Sequence, residues 1–178
     1  MSGRGTTLLM IMFLVLAISR TTGAARQDEY QVKAVFILNF AKLTEWPVAP
    51  SGGGEQFTIA ILGKAPAPAF MTTLRGVLIH GVKSSVRHVA SAAEAEGSHL
   101  LYIAASERRN VAALLRELRQ QSILTVSDME GFCEAGGMIQ LVRVQNRVGF
   151  EVNLAAVRRT RLMLSSQLLK LAGKIHGN

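Results

Sequence analysis

Short apolar runs alternating with helical patterns constrain this chain more than any other feature. Phe57 to Leu62, His99 to Ala104 and Ile123 to Val126 are each long enough for a buried strand and too short for a buried helix. Gly63 punctuates the end of the first, and Ser127-Asp128, both turn and capping residues, the end of the third. Between the second and third runs, Val111, Leu114, Leu115 and Leu118 recur at i, i+3, i+4 and i+7, so the spacing predicts a helix over Ser106 to Arg119. Shorter helices are expected at Ala69 to Arg75 and Ser91 to Glu96, and strand segments at Val77 to Ile79 and Val82 to Val89 around a His80-Gly81 turn. Such alternation favours a mainly parallel sheet covered by helices. Met138 to Val144 and Val148 to Val152, joined through Gln145-Asn146-Arg147, read as a late hairpin that makes the sheet mixed. The expected fold is a single α/β domain whose mixed, mostly parallel sheet carries helices on both faces, a Rossmann-like three-layer arrangement.

Glu29 to Glu45 reads as a largely buried helix, with Val32, Val35, Phe36, Ile37, Leu38, Phe40 and Leu43 leaving little room for a polar face. It ends at Trp46-Pro47 because proline disfavours helical geometry in the residue before it. Pro50 to Gly54 is then a flexible loop. The C-terminal stretch, Asn153 to Leu171, reads as helical with an interruption near Met163 to Ser166, where Ser165 or Ser166 caps a last short helix.

The opening residues have the layout of a cleavable export signal. Arg4 gives a basic start, Leu8 to Ile18 is an unbroken apolar run, and Ser19 to Ala25 offers cleavage after Ala24 or Ala25. That run is short of the ~20 residues a membrane-spanning helix needs. The expected organisation is a signal peptide over 1–25 and one domain over 26–178. Cys133 is the sole cysteine, which rules out an internal disulfide and leaves no cysteine at the cleavage boundary for a lipid. It reads as a small, partly buried apolar residue.

The formal charge of +8 does not indicate nucleic-acid binding, because Arg4 and Arg20 leave with the signal and an exported domain rarely meets nucleic acid. The remaining charge is uneven. From Gly137 onward, Arg143, Arg147, Arg158, Arg159, Arg161, Lys170 and Lys174 face one acidic residue, Glu151. This is either a solvated basic face or a surface for an acidic partner, an anionic ligand or a membrane.

Signatures of catalysis are missing. No G-x-S-x-G is present, and His80, His88, His99 and His176 are scattered without the spacing of a zinc site. Gly52-Gly53-Gly54 precedes a strand, the wrong order for a phosphate cradle. The residues therefore call for no catalytic group, metal or cofactor. Ser127-Asp128-Met129-Glu130-Gly131-Phe132 follows a strand and is either a capped turn or a ligand crevice at the strand's carboxyl end, and Gly136-Gly137-Met138 is a tight bend before a strand.

From Tyr30 to Ala172 the chain resembles the YfiR family of bacterial periplasmic proteins. The likeness lies in VKAVFILNFAKLTEWP (Val32 to Pro47), IAILG (Ile59 to Gly63), HLLYIAASE (His99 to Glu107), ILTVSDMEGF (Ile123 to Phe132), GGMI (Gly136 to Ile139), VGFEVNLAAVRR (Val148 to Arg159) and SSQLLKLA (Ser165 to Ala172). The order and spacing of these segments together are specific. The resemblance implies an α/β regulator, not an enzyme, that dimerises, binds the outward-facing sensory domain of an inner-membrane diguanylate cyclase and holds it inactive. Related proteins often carry paired cysteines that tie redox state to activity. This chain keeps only Cys133, with Ser98 and Gln140 standing where the others would be sought.

A repressor acting by surface contact needs an apolar patch with a polar or basic rim. Trp46 is the candidate aromatic anchor, or simply core, and Arg158, Arg159 and Arg161 are the candidate rim or ligand charges. The alternative is a periplasmic sensor of an anionic small ligand bound near Ser127 and Asp128.

Overall fold

The computed structural model describes residues 29–47, 56–64, 68–145 and 147–177. The apolar run at Leu8 to Ile18, the expected cleavage site and the Pro50 to Gly54 loop lie outside the described residues. The described chain opens with helix α1 (29–42). There follow β1 (Thr44–Glu45), β2 (Gln56–Leu62), α2 (Pro68–Leu74), β3 (Leu78–Ile79), β4 (Val82–Val89), β5 (Leu100–Ile103), α3 (Val111–Glu117) and β6 (Leu124–Ser127). The C-terminal part comprises β7 (Ile139–Val144), β8 (Arg147–Asn153), α4 (Leu154–Val157), β9 (Met163–Leu164), α5 (Ser166–Leu171) and β10 (Lys174–His176).

The main sheet has the order β10-β8-β7-β6-β5-β2-β4-β3. Pairing is antiparallel at β3/β4 and β7/β8 and parallel at every other junction. The mixed α/β expectation therefore holds, with both antiparallel pairs toward the edges. His80 (φ 49) and Gly81 (φ 85) both take the left-handed conformation that a tight two-residue hairpin between β3 and β4 requires.

The period-two alternation of the central strands sorts side chains to two faces. Ile59, Ile61, Leu100, Tyr102, Leu124 and Val126 point toward α1 and α2, where they meet Ile37, Phe40, Phe70 and Leu74. Ala60, Leu62, Leu101 and Ile103 point the other way, against Leu115 and Leu118 and the turn carrying Met129 and Phe132. Strands buried on both faces must be apolar throughout, which is why β5 reads Leu-Leu-Tyr-Ile with every residue buried. Each such side chain contributes about 1.5–3 kcal/mol by leaving water. The chain crosses one face between β2 and β4 and the opposite face between β5 and β7, as right-handed crossovers demand when the winding direction reverses between β2 and β5, and α4 and α5 return to the first face.

Three expectations need adjustment. Helix α1 stops before Thr44, because Thr44 and Glu45 pair antiparallel with Leu164 and Met163 as a small ribbon. That ribbon is also the interruption expected at Met163 to Ser166, and Ser165 Oγ accepts from Leu168 N at 3.2 Å to cap α5. The outer side of α1 leaves Val32 45% and Val35 49% exposed, so the helix is buried on one broad face only. The helix expected from Ser106 begins as a separate 3-10 turn, Ala105–Glu107, before α3 proper.

Candidate functional site

Open α/β sheets place ligands beyond the carboxyl ends of their strands, at the point where the winding reverses. Here that point lies between β2 and β5. The chain itself occupies it: Lys64 N donates to Ser106 Oγ at 3.0 Å, and a side chain at Gly63 would collide with Ser106.

The end of β6 is also filled from within. Ser127 is fully buried, its hydroxyl donating to Ile103 O at 2.7 Å and accepting from Met129 N at 3.1 Å. These are the bonds of a capped turn. Asp128 Oδ2 lies 2.8 Å from Lys33 Nζ, which also meets Glu29 Oε1 at 2.8 Å. Burial alone would lower the Lys33 pKa, but the hydrogen bonds and charges of Asp128 and Glu29 outweigh it and hold the ammonium above its ordinary 10.5. Tyr102 lies beside the same carboxylate, and burial followed by the Asp128 charge pushes its ionisation well above the usual range. Asp128 Oδ1 is buried without a hydrogen-bond partner. The cation serving Asp128 is therefore Lys33 from α1, and Glu130 engages Arg108 through its backbone carbonyl, at 3.1 Å.

The opposite, amino-terminal ends of β2 and β4 border a 410 Å³ cavity lined by Glu45, Trp46, Gln56, Phe57, His80, Val82 and His99. Trp46 is half-buried, its Nε1 donating to His99 O at 3.1 Å and its ring meeting Phe57 edge-on at 5.1 Å. The His99 ring stacks on Phe57 at 4.4 Å. Its Nδ1 accepts from Thr58 N at 3.1 Å, so a proton there would destroy that bond. Burial, then the neighbouring His80, lowers the His99 pKa. His80 Nε2 reaches Ala41 O and Thr44 O, both at 3.0 Å. The ribbon pairs Glu45 with Met163, which is 62% exposed. Arg161, two residues before Met163, does not line the groove.

Arg158 and Arg159 diverge from each other. Arg158 Nη1 donates to Gly177 O at 3.5 Å, whereas Arg159 lines a second cavity of 290 Å³ with Arg116 and Arg119. Ser127 and Asp128 line neither cavity. The two histidines of the aromatic groove, Arg116 of α3 and Arg119 in the turn after it carry no sequence signal beyond the i, i+3 spacing of the two arginines, since their partners come from distant strands and turns.

One cluster offers ligand atoms to a cation: Glu134, Glu151 and His176, whose donor atoms lie within 4.8 Å of one another. His176 Nε2 is bonded to Glu151 Oε2 at 2.7 Å, and Lys174 Nζ stands 4.0 Å from Glu134 Oε1, so the protein's own imidazole and ammonium groups already serve these carboxylates. Cys133 is buried nearby, its amide donating to Gln140 Oε1 at 3.2 Å. Burial first, then Glu151 and Glu134, pushes its thiol up to about 12, so it stays protonated and poorly nucleophilic. Ser98, the other position considered for a missing cysteine, is buried and accepts from Arg87 Nη2 at 2.8 Å.

A conserved domain protein from Vibrio cholerae O1 biovar El Tor strain N16961 aligns with a TM-score of 0.46 and 13% identity, over 67% of this chain and 54% of that one. This chain thus spans about half of that structure's length. No curated protein matches. The YfiR/HmsC-like family model matches residues 30–173, taking in the whole sheet apart from the edge strand β10, both cavities and the ribbon, and the chain belongs to the YfiR/HmsC-like family.

Proposed function

We propose that this protein is exported to the periplasm, where it binds the sensory domain of an inner-membrane diguanylate cyclase and represses it. Membership of the family over residues 30–173 carries the reading, since the YfiR/HmsC-like family comprises periplasmic regulators of diguanylate cyclase. The residues 1–25 serve as the export signal in this account. No helix among the described residues is long and apolar enough to cross a membrane. The expected Rossmann-like character enters here in a narrower form: the parallel strands run β4-β2-β5-β6-β7, the order of the doubly wound sheets typified by flavodoxin.

The docking surface in this reading is the aromatic groove and its ribbon. Trp46 supplies a large, rigid anchor with a polar handle, exposed Met163 extends the apolar area, and Arg161 adds charge at the rim. The exposed Val32 and Val35 on α1 are the proposed homodimer face, which molar-mass measurement with both changed to Ser would test. Titration of the purified cyclase sensory domain with the wild-type chain and Trp46→Ala tests the docking surface. Loss of an aromatic hot spot costs about 2 kcal/mol or more, roughly thirtyfold in Kd. Unchanged affinity would remove Trp46 from the interface.

A further inference from the structure

The second cavity draws its lining from both sides of the sheet, with Leu115 and Leu118 from the cluster around α3 and Met138 and Ala156 from the cluster that includes α1. Its wall is the last turn of α3, its far side is the turn at Glu134 to Gly136, and its rim is α4 with Arg159. Arg116, Arg119 and Arg159 converge on it from two separate elements, and among the described residues none of their guanidinium groups has a hydrogen-bond acceptor or ion-pair partner. Some cations elsewhere are tied down, Lys33 to two carboxylates, Arg87 to Glu96 O and Ser98 Oγ, and Arg108 to Glu130 O, while others such as Arg75 and Arg109 stand singly on the surface; only here do three converge on one cavity among those described. The one acidic residue in the wall, Glu134, is drawn toward Lys174 at 4.0 Å and His176 at 3.8 Å. Three like charges around one cavity repel each other, and an anion between them relieves that repulsion.

The floor is different in character. Leu115, Leu118 and Met138 line it, together with the buried Thr125 hydroxyl. That oxygen accepts from Met138 N at 3.1 Å, which leaves its own proton free to donate. Guanidinium forks match the oxygens of carboxylate and phosphate groups in pairs, which an ammonium does not. The volume of 290 Å³ sits at the small end of ligand sites.

We propose that this cavity binds a small organic anion whose oxyanion group, a carboxylate or a phosphate, is held by Arg116, Arg119 and Arg159 while its apolar body rests on Leu115, Leu118 and Met138. The site is independent of the docking surface at Trp46 and does not rest on the cyclase reading.

The test is calorimetric titration of the purified chain, without any cyclase, with inorganic phosphate and with succinate at fixed ionic strength, sodium chloride serving as the control. The expected result is saturable binding of at least one of the two oxyanions at one site per chain, weakened roughly tenfold or more by Arg159→Gln or Arg116→Gln. Arg158→Gln removes the same charge from the neighbouring residue outside the cavity and should leave the affinity within about twofold of wild type. Phosphate binding without succinate, or the reverse, identifies the oxyanion. Absence of saturable binding of both, or equal weakening by Arg158→Gln and Arg159→Gln, would overturn the proposal, the latter because it marks a diffuse charge effect. Far-UV circular dichroism confirms that each exposed-site variant is folded.

Discussion

Replacing Lys33 with Met should be the most costly single charge removal in the domain. Among the described residues Lys33 is the only cation bonded to Asp128, at 2.8 Å, and both side chains are 11% exposed. Without it the Asp128 carboxylate keeps a buried, unpartnered Oδ1 and loses the partner of Oδ2. Breaking a buried pair from one side costs about 3–5 kcal/mol, because an uncompensated charge remains in a poorly solvated place. For a domain of this size each kcal/mol lowers Tm by about 2–4 °C, so the expected fall is on the order of 10 °C. Asp128→Asn should cost less, since Lys33 retains Glu29 at 2.8 Å, and Glu29 is 29% exposed and well hydrated. The double variant Lys33→Met/Asp128→Asn carries no buried unpaired charge and should recover about half of the single-variant loss. Urea denaturation of the four proteins measures the cycle. A Lys33→Met loss below about 1 kcal/mol, or a double variant no better than Lys33→Met, would refute the argument that an orphaned Asp128 charge is the cause.

Further predictions follow from the same contacts. Gly137→Ala should cost about 1–3 kcal/mol in chemical denaturation, because its new Cβ would strike the ring of the fully buried Phe132. Stability should fall on acidification below His99's ordinary 6.5: its folded-state pKa is lowered, so the unfolded chain takes up the proton first. His99→Gln should flatten that acid slope, and an unchanged slope would assign it elsewhere. Alkaline solution should also destabilise the fold. The raised Lys33 pKa contributes stability that is complete below 10.5 and lost as the pH rises through the folded-state value, and Tyr102 resists ionisation that the unfolded chain permits above 10.0.

The central strands were legible because burial on both faces favours apolar residues at most positions, and Phe57 to Leu62 or His99 to Ala104 can satisfy little else. What escaped the sequence is non-local. Thr44 and Glu45 continue the helical pattern of α1 in composition, yet their backbone pairs with Leu164 and Met163, a partnership that no local window contains. β10 was missed because Lys174, Ile175 and His176 alternate no apolar face; it exists as an edge strand in parallel register with Glu151 to Asn153.

The candidate site divides along the same line. Trp46 was recognisable as a helix-ending aromatic, but its neighbours Phe57, His80 and His99 arrive from separate parts of the sheet. Arg158, Arg159 and Arg161 look like one basic group in the chain. Successive residues of a helical turn point about 100° apart, so Arg158 turns to Gly177 while Arg159 turns to the arginine-lined cavity. The cation beside Asp128 is Lys33 of α1, 95 residues away in the chain, which sequence proximity could not suggest.

The central claim is repression of a membrane-bound diguanylate cyclase from the periplasm, and its most direct test is intracellular cyclic di-GMP in the parent strain, a deletion strain, and the deletion restored with either the full chain or one lacking residues 1–25. The account predicts a rise on deletion that only the full, exported form reverses. Unchanged cyclic di-GMP across growth conditions, or reversal by the form lacking residues 1–25, would contradict it.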